Sequence, residues 1–89
     1  MKSVHRETGD LTGRVVVITG GGRGIGLTTA TQLAAAGARV VLGDLDPATV
    51  TEAADSVGRG TVGAQLDVTS RESWSEFLEA TAAVGPIDV

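Results

Sequence analysis

The sequence predicts an α/β fold, a doubly wound parallel sheet represented by its N-terminal β-α-β-α-β-α part. Three observations carry this expectation. Short, β-branched apolar runs recur along the chain, each is followed by a longer segment of helical character, and the junctions are marked by Gly, Asp and Pro. Continuous apolar runs suit strands buried on both faces. Strands alternating with helices of ten or more residues imply right-handed crossovers between parallel strands.

The elements can be justified in order. Residues 1–10 are polar and charged and read as a tail, so the domain is expected over residues 11–89. Arg14-Val15-Val16-Val17-Ile18-Thr19 is the first strand, stopped by a glycine cluster. Gly24 to Ala36 reads as a helix, with Ile25, Thr29, Leu33 and Ala36 at helical spacing in an Ala-rich body. Gly37 is placed to end it in a left-handed turn. Arg39-Val40-Val41-Leu42 is the second strand, closed by Gly43-Asp44.

Asp46 suits an N-cap and Pro47 the first helical position, whose missing N–H has no intrahelical partner in any case. That helix runs through Ala48, Val50, Ala53, Ala54 and Val57 to Gly58. A weaker third strand is expected from Thr61 to Leu66. Thr69-Ser70-Arg71-Glu72 has capping-box spacing, with Thr69 as the cap and Glu72 reaching back. The third helix turns Trp74, Phe77, Leu78 and Ala82 toward a core and ends near Gly85-Pro86. Ile87-Asp88-Val89 reads as the opening of a fourth strand.

Composition narrows the functional classes. A length of 89 residues allows at most one domain, and 42% hydrophobic content argues against disorder. The 13 glycines are about twice the usual ~7% share, a sign of tight turns or close backbone approaches. Without Cys there is no disulfide framework, thiolate metal site or catalytic thiol. Without Tyr there is no phenolic acid or base, and the single Lys is Lys2.

A net charge of -4, with seven Lys and Arg scattered singly, offers no basic patch for nucleic acid. No apolar run approaches a membrane span. The tail lacks the apolar core of a secretory signal, so a cytoplasmic setting is expected. His5 lies in that tail and reads as a solvated residue rather than a ligand.

The informative segment is Thr19-Gly20-Gly21-Gly22-Arg23-Gly24-Ile25-Gly26, between the first strand and the first helix. Glycines there let the backbone turn tightly and approach a ligand. The helix start behind them offers free N–H groups and a positive dipole end, suited to pyrophosphate. Gly21 and Gly26 have the separation of a Walker-type loop, but Leu27 stands where that loop needs Lys. The G-x-G-x-x-G spacing also fails, ending on Ile25 or Leu27. Glycine at 20, 24 and 26 is what fits. A tight turn without a ligand is the bland alternative.

Asp44 ends the second strand, 18 residues after Gly26. A carboxylate there can hydrogen-bond both hydroxyls of an adenosine ribose and repels a 2′-phosphate, so it favours NAD over NADP. With Asp46 suited to the helix cap, Asp44 is left for the ribose, and Leu45 beside it joins the candidate site. Arg23 pulls the other way, since a guanidinium can pair a 2′-phosphate; it is otherwise a solvated loop residue. Asp67-Val68 follows the third strand, where open α/β sheets bind ligands. Asp67 can reach an adenine edge there or serve as a turn residue.

Together these markers resemble the short-chain dehydrogenase/reductase family, over Leu11 to Val89. The T-G-x-x-x-G-x-G pattern is met by Thr19, Gly20, Gly24 and Gly26, the acidic residue after strand two by Asp44, and the D-V pair by Asp67-Val68. Gly85-Pro86-Ile87-Asp88-Val89 looks like the segment leading into the family's fourth strand. The resemblance implies a Rossmann-like sheet and a nicotinamide cofactor. It implies Gly20, Gly24, Ile25 and Gly26 at the pyrophosphate, Asp44 at the ribose, and Asp67 with Val68 at the adenine.

The family's Asn-Asn-Ala-Gly motif, catalytic Ser and Tyr-x-x-x-Lys pair have no counterpart in this sequence, so no residue is carried over as catalytic and the chain alone is expected to be inactive. Two readings follow: the cofactor-binding N-terminal portion of an oxidoreductase that exchanges hydride between nicotinamide and an alcohol or carbonyl, or a non-catalytic dinucleotide-binding or interaction module complete at 89 residues. Because the chain stops within an apparent strand, the first is favoured. In the expected strand order, strand four covers strand one; without it, Val15 to Ile18 form an open edge through which the chain can self-associate.

Overall fold

The computed structural model describes residues 11–20 and 22–88; the tail with Lys2 and His5, Gly21 and Val89 lie outside the described residues. The order of elements is β1 (Val15–Thr19), α1 (Gly24–Ala35), β2 (Arg39–Asp44), α2 (Pro47–Val57), β3 (Val62–Gln65) and α3 (Arg71–Ala82). The strands form one parallel sheet in the order β1-β2-β3. In register, Val15 pairs with Arg39 and Thr19 with Gly43, while Val41 pairs with Val62 and Asp44 with Gln65.

Strand periodicity sorts the core into two layers. Val40 and Leu42 of β2 and Val16 of β1 face α1 and α2, where they meet Ala30, Ala34, Val50, Ala53 and Ala54. Val41 points the opposite way and packs with Leu66 and Phe77, flanked by Val17, Ala64 and Trp74. Both faces of β2 are therefore covered, which is why its sequence is a continuous apolar run rather than an alternating one. The buried Phe77 ring lies so close under β2 that a Cβ on Gly43 would stand 2.8 Å from its Cε1.

Several local expectations are corrected. β3 is shorter than expected, Val62–Gln65 with Thr61 and Leu66 flanking it, while β2 ends on Asp44 as expected. The buried stripe of α1 is Ala30 and Ala34, and Ile25 is 86% exposed. Helix α3 is capped by Ser70, whose Oγ accepts from the Ser73 N–H at 3.1 Å. Thr69, the expected cap, stands one residue ahead of that position, and its hydroxyl donates to Asp67 Oδ1 at 2.6 Å. On α3, Phe77 and Thr81 are buried, whereas Leu78 and Ala82 face outward.

The Asp46–Pro47 start of α2 is as expected: Asp46 Oδ1 accepts from the Ala48 N–H at 2.9 Å and the Thr49 N–H at 3.3 Å, and its Oδ2 from the Thr49 hydroxyl at 3.0 Å. Residues 85–88 are not strand. They nevertheless meet the outer side of β1, where the Asp88 N–H donates to Val15 O and the Val15 N–H donates to Asp88 Oδ2, each at 2.8 Å.

Candidate functional site

The three strands end at one level. Backbone pairing carries on just past them, with the Gly20 N–H donating to Gly43 O and the Leu66 N–H to Asp44 O, both at 2.7 Å. Above this rim lies a cleft of about 280 Å³, lined by Gly20 just after β1, Gly43 and Asp44 of β2, Leu45 just after it, and Leu66, Asp67, Val68 and Thr69 after β3. Five of the nine residues expected at a site line it: Gly20, Asp44, Leu45, Asp67 and Val68. The other four, Arg23, Gly24, Ile25 and Gly26, sit at the start of α1.

The glycine turn is held by the acid it faces. Asp44 Oδ2 accepts from the Gly22 N–H at 3.0 Å, and Asp44 Oδ1 accepts from the Leu45 N–H at 2.7 Å. A Cβ on Gly22 would stand 2.5 Å from Asp44 Oδ2 and 3.0 Å from Thr49 Cγ2, so the approach requires glycine. Gly20 and Gly24 are needed for another reason, their positive φ angles of 69° and 62°. Sequence spacing selected 20, 24 and 26 and passed over Gly22. Its partner is 22 residues away, and no local signal announces that contact.

Helix α1 begins without a side-chain cap from Arg23. Helices α2 and α3 are capped by Asp46 and Ser70. The N–H groups of the first turn of α1 are thus left to other acceptors, and the helix dipole adds partial positive charge. The Thr49 hydroxyl and the backbone N–H groups of Thr49 and Ala48 hold the Asp46 carboxyl below its ordinary value, and Arg23 adds a smaller pull in the same direction.

Asp67 is similarly held low, first by the Thr69 hydroxyl and then by the Thr69 N–H. Its carboxylate therefore stays ionised while bracing its own turn. The same turn is fastened to α3, because the Asp67 N–H donates to Ser73 Oγ at 2.8 Å and the Trp74 indole N–H donates to Val68 O at 3.0 Å. Neither Ser73 nor Trp74 stood out as a site residue in the sequence, where Trp74 reads only as core.

Apolar surface gathers at the same end. Ile25, in the first turn of α1, is 86% exposed, Leu45, just after β2, 61%, and Val68, in the turn after β3, 59%. Single exposed apolar side chains are ordinary, but three at the same end of a sheet beside a cleft mark a surface suited to a flat, partly apolar ligand. Among the described residues no group of acidic or histidine side chains is arranged to hold a metal, and no helix is long and apolar enough to cross a membrane.

A parallel sheet with helices on both faces, a glycine turn running from β1 into α1 and an acid at the end of β2 define a Rossmann-like α/β unit. Residues 14–89 match the family model described as short chain dehydrogenase. Galactitol 2-dehydrogenase from Agrobacterium fabrum is 44% identical over 80 residues, covering 89% of this chain and 31% of that protein.

The crystal structure of 3-ketoacyl-(acyl-carrier-protein) reductase from Brucella melitensis complexed with NADH superposes with a TM-score of 0.80 at 31% identity, over 84% of this chain and 31% of that one. The Pseudomonas aeruginosa RhlG/NADP active-site complex does so with a TM-score of 0.80 at 28% identity, over 89% and 33%. The chain belongs to the short-chain dehydrogenase family. It spans less than a third of the length of the curated relatives it matches, and corresponds to their N-terminal part.

Proposed function

We propose that residues 11–89 form the dinucleotide-binding part of an oxidoreductase and that the cleft above the strand ends takes the adenosine half of NAD. The observation that carries this reading is the Asp44 carboxylate, fixed by the Gly22 and Leu45 N–H groups at the rim of that cleft. Held there, its remaining lone pairs are available to the two ribose hydroxyls. The structural relatives solved with NADH and NADP support a nicotinamide dinucleotide.

The residues present suit such a group. The uncapped start of α1, with Gly20, Gly24, Ile25, Gly26 and Arg23 around it, fits the pyrophosphate. Leu45 and Val68 offer apolar walls for the adenine, with Asp67 at its edge. When bound, the dinucleotide supplies a nicotinamide able to give or take hydride. This segment binds and orients it; with no Tyr, it offers no phenol for the proton transfer at an alcohol or carbonyl carbon.

NAD is favoured over NADP because the Asp44 carboxylate repels a 2′-phosphate, while the charge of Arg23 is partly offset by Asp46. The test is Asp44→Ala in the intact protein, with affinities for NADH and NADPH measured by fluorescence titration. NADH binding should weaken about tenfold or more and the preference between the two should narrow, the scale expected for a charge-assisted hydrogen bond. A preference left untouched would remove Asp44 from the ribose site.

We further propose that the outer edge of β1 beyond Val15 is a site of self-association for the 89-residue chain on its own, since an apolar edge templates pairing. Size-exclusion chromatography showing a monomer that melts sharply would exclude it.

A further inference from the structure

We propose that Trp74 is a positioning residue for the adenine-side wall of the cleft, acting through the backbone of Val68. The inference rests on the dinucleotide reading above. The peptide group joining Val68 to Thr69 is held at both ends: its carbonyl accepts from Trp74 Nε1 at 3.0 Å, and its N–H donates to Asp67 Oδ1 at 2.9 Å. One residue earlier, the Asp67 N–H is tied to Ser73 Oγ. Two consecutive residues at the start of α3 therefore fasten the turn that carries Asp67 and Val68.

Val68 needs such a fastening. At 59% exposed, its side chain has little packing of its own, so its place over the cleft is set by its backbone. Trp74 is in turn oriented by the core. Its ring meets Phe77 edge-on, with centroids 6.3 Å apart and planes at 89°, and Phe77 is 1% exposed beneath Gly43. A line of contact thus runs from the packed face of β2, through two aromatic rings, to the carbonyl of Val68. The indole bond itself is exposed, so water can replace it at small cost to stability. What the bond contributes is the position of the turn.

The experiment replaces Trp74, the one tryptophan of this chain, in the intact protein. Trp74→Phe keeps an aromatic ring and removes the donor. Benzothienylalanine at the same position also keeps the bicyclic shape, so it serves if the first variant folds poorly. Affinity is measured for NADH and for its hypoxanthine analogue, whose base carries a carbonyl in place of the exocyclic amine, and melting temperature is recorded alongside.

The expected result is a loss of about 3–10-fold for NADH, a smaller loss for the analogue and little change in melting. Unchanged NADH affinity, or equal losses for both dinucleotides, would overturn the positioning role while leaving the dinucleotide reading intact. Failure of the unaltered protein to bind NADH would overturn that reading and the inference with it.

Discussion

Gly22→Ala is the most exacting perturbation of the site, because it adds one methyl group and nothing else. The backbone at Gly22 lies outside the left-handed region, so alanine is not excluded by conformation. The methyl carbon would stand 2.5 Å from Asp44 Oδ2 and 3.0 Å from Thr49 Cγ2, well inside ordinary contact. The carboxylate is the part able to move, and moving it lengthens the 3.0 Å bond from the Gly22 N–H.

Crowding of this kind costs about 1–3 kcal/mol, and a hydrogen bond to a charged group contributes about 1.5–3 kcal/mol. The lower entropy of the unfolded alanine chain offsets about 0.4–1 kcal/mol. A net loss of about 1.5–5.5 kcal/mol follows, or a fall in Tm of at least roughly 6 °C for a domain of this size. Calorimetric melting of a double-mutant cycle with Asp44→Ala checks the cause. Once the carboxylate is gone, Gly22→Ala should cost less than about 1 kcal/mol, since only Thr49 is left to crowd it. Equal costs in both backgrounds would refute the reasoning.

Two further outcomes are expected. Thr69→Val removes the largest influence holding the Asp67 carboxyl low, so its pKa, followed by NMR titration, should rise toward the ordinary value. Because the folded pKa is depressed, the stabilisation linked to Asp67 is complete above the unfolded value and disappears as pH falls through the folded one. Thr69→Val should flatten that acid limb.

At the outer edge of β1, Asp88→Ala should lower stability by about 1 kcal/mol, whereas Arg14→Ala should change it by less than about half that. The Arg14–Asp88 ion pair is long at 3.9 Å and exposed, while the bond from the Val15 N–H to Asp88 is 2.8 Å. Chemical denaturation of the two variants separates them, and equal effects would assign the contribution to the ion pair instead.

The order of strands and helices was legible because each element carries its own punctuation. Asp46-Pro47 announces a helix start by local chemistry alone, and Gly37 ends α1 where the sequence places it, with φ at 103°. What was illegible depends on partners distant in the chain. Ala30 and Ala34 form the buried stripe of α1, yet alanine in sequence speaks for helix propensity and not for a face.

Thr69 and Ser70 are neighbouring hydroxyls with equal claims to cap α3. In the structure the first is turned to Asp67 and the second caps the helix. Of the candidate site, the residues at strand ends were legible because topology fixes where strands end. Gly22 and Trp74 were not, because their roles are defined by the atoms opposite them, Asp44 Oδ2 and Val68 O.

The level ending of the three strands has a consequence for how such a chain can change length. Each ladder pairs fixed partners, so one residue added within β2 would shift Asp44 by about 3.3 Å and turn its side chain to the opposite face. The connections at the cleft end are equally committed, since Gly20, Gly22 and residues 44–46 and 67–69 are hydrogen-bonded to one another or to the helices beneath. The turn through Arg59 and Gly60, at the far end of the sheet between α2 and β3, touches none of these bonds. Insertions should therefore be tolerated in that turn and rejected at the cleft end.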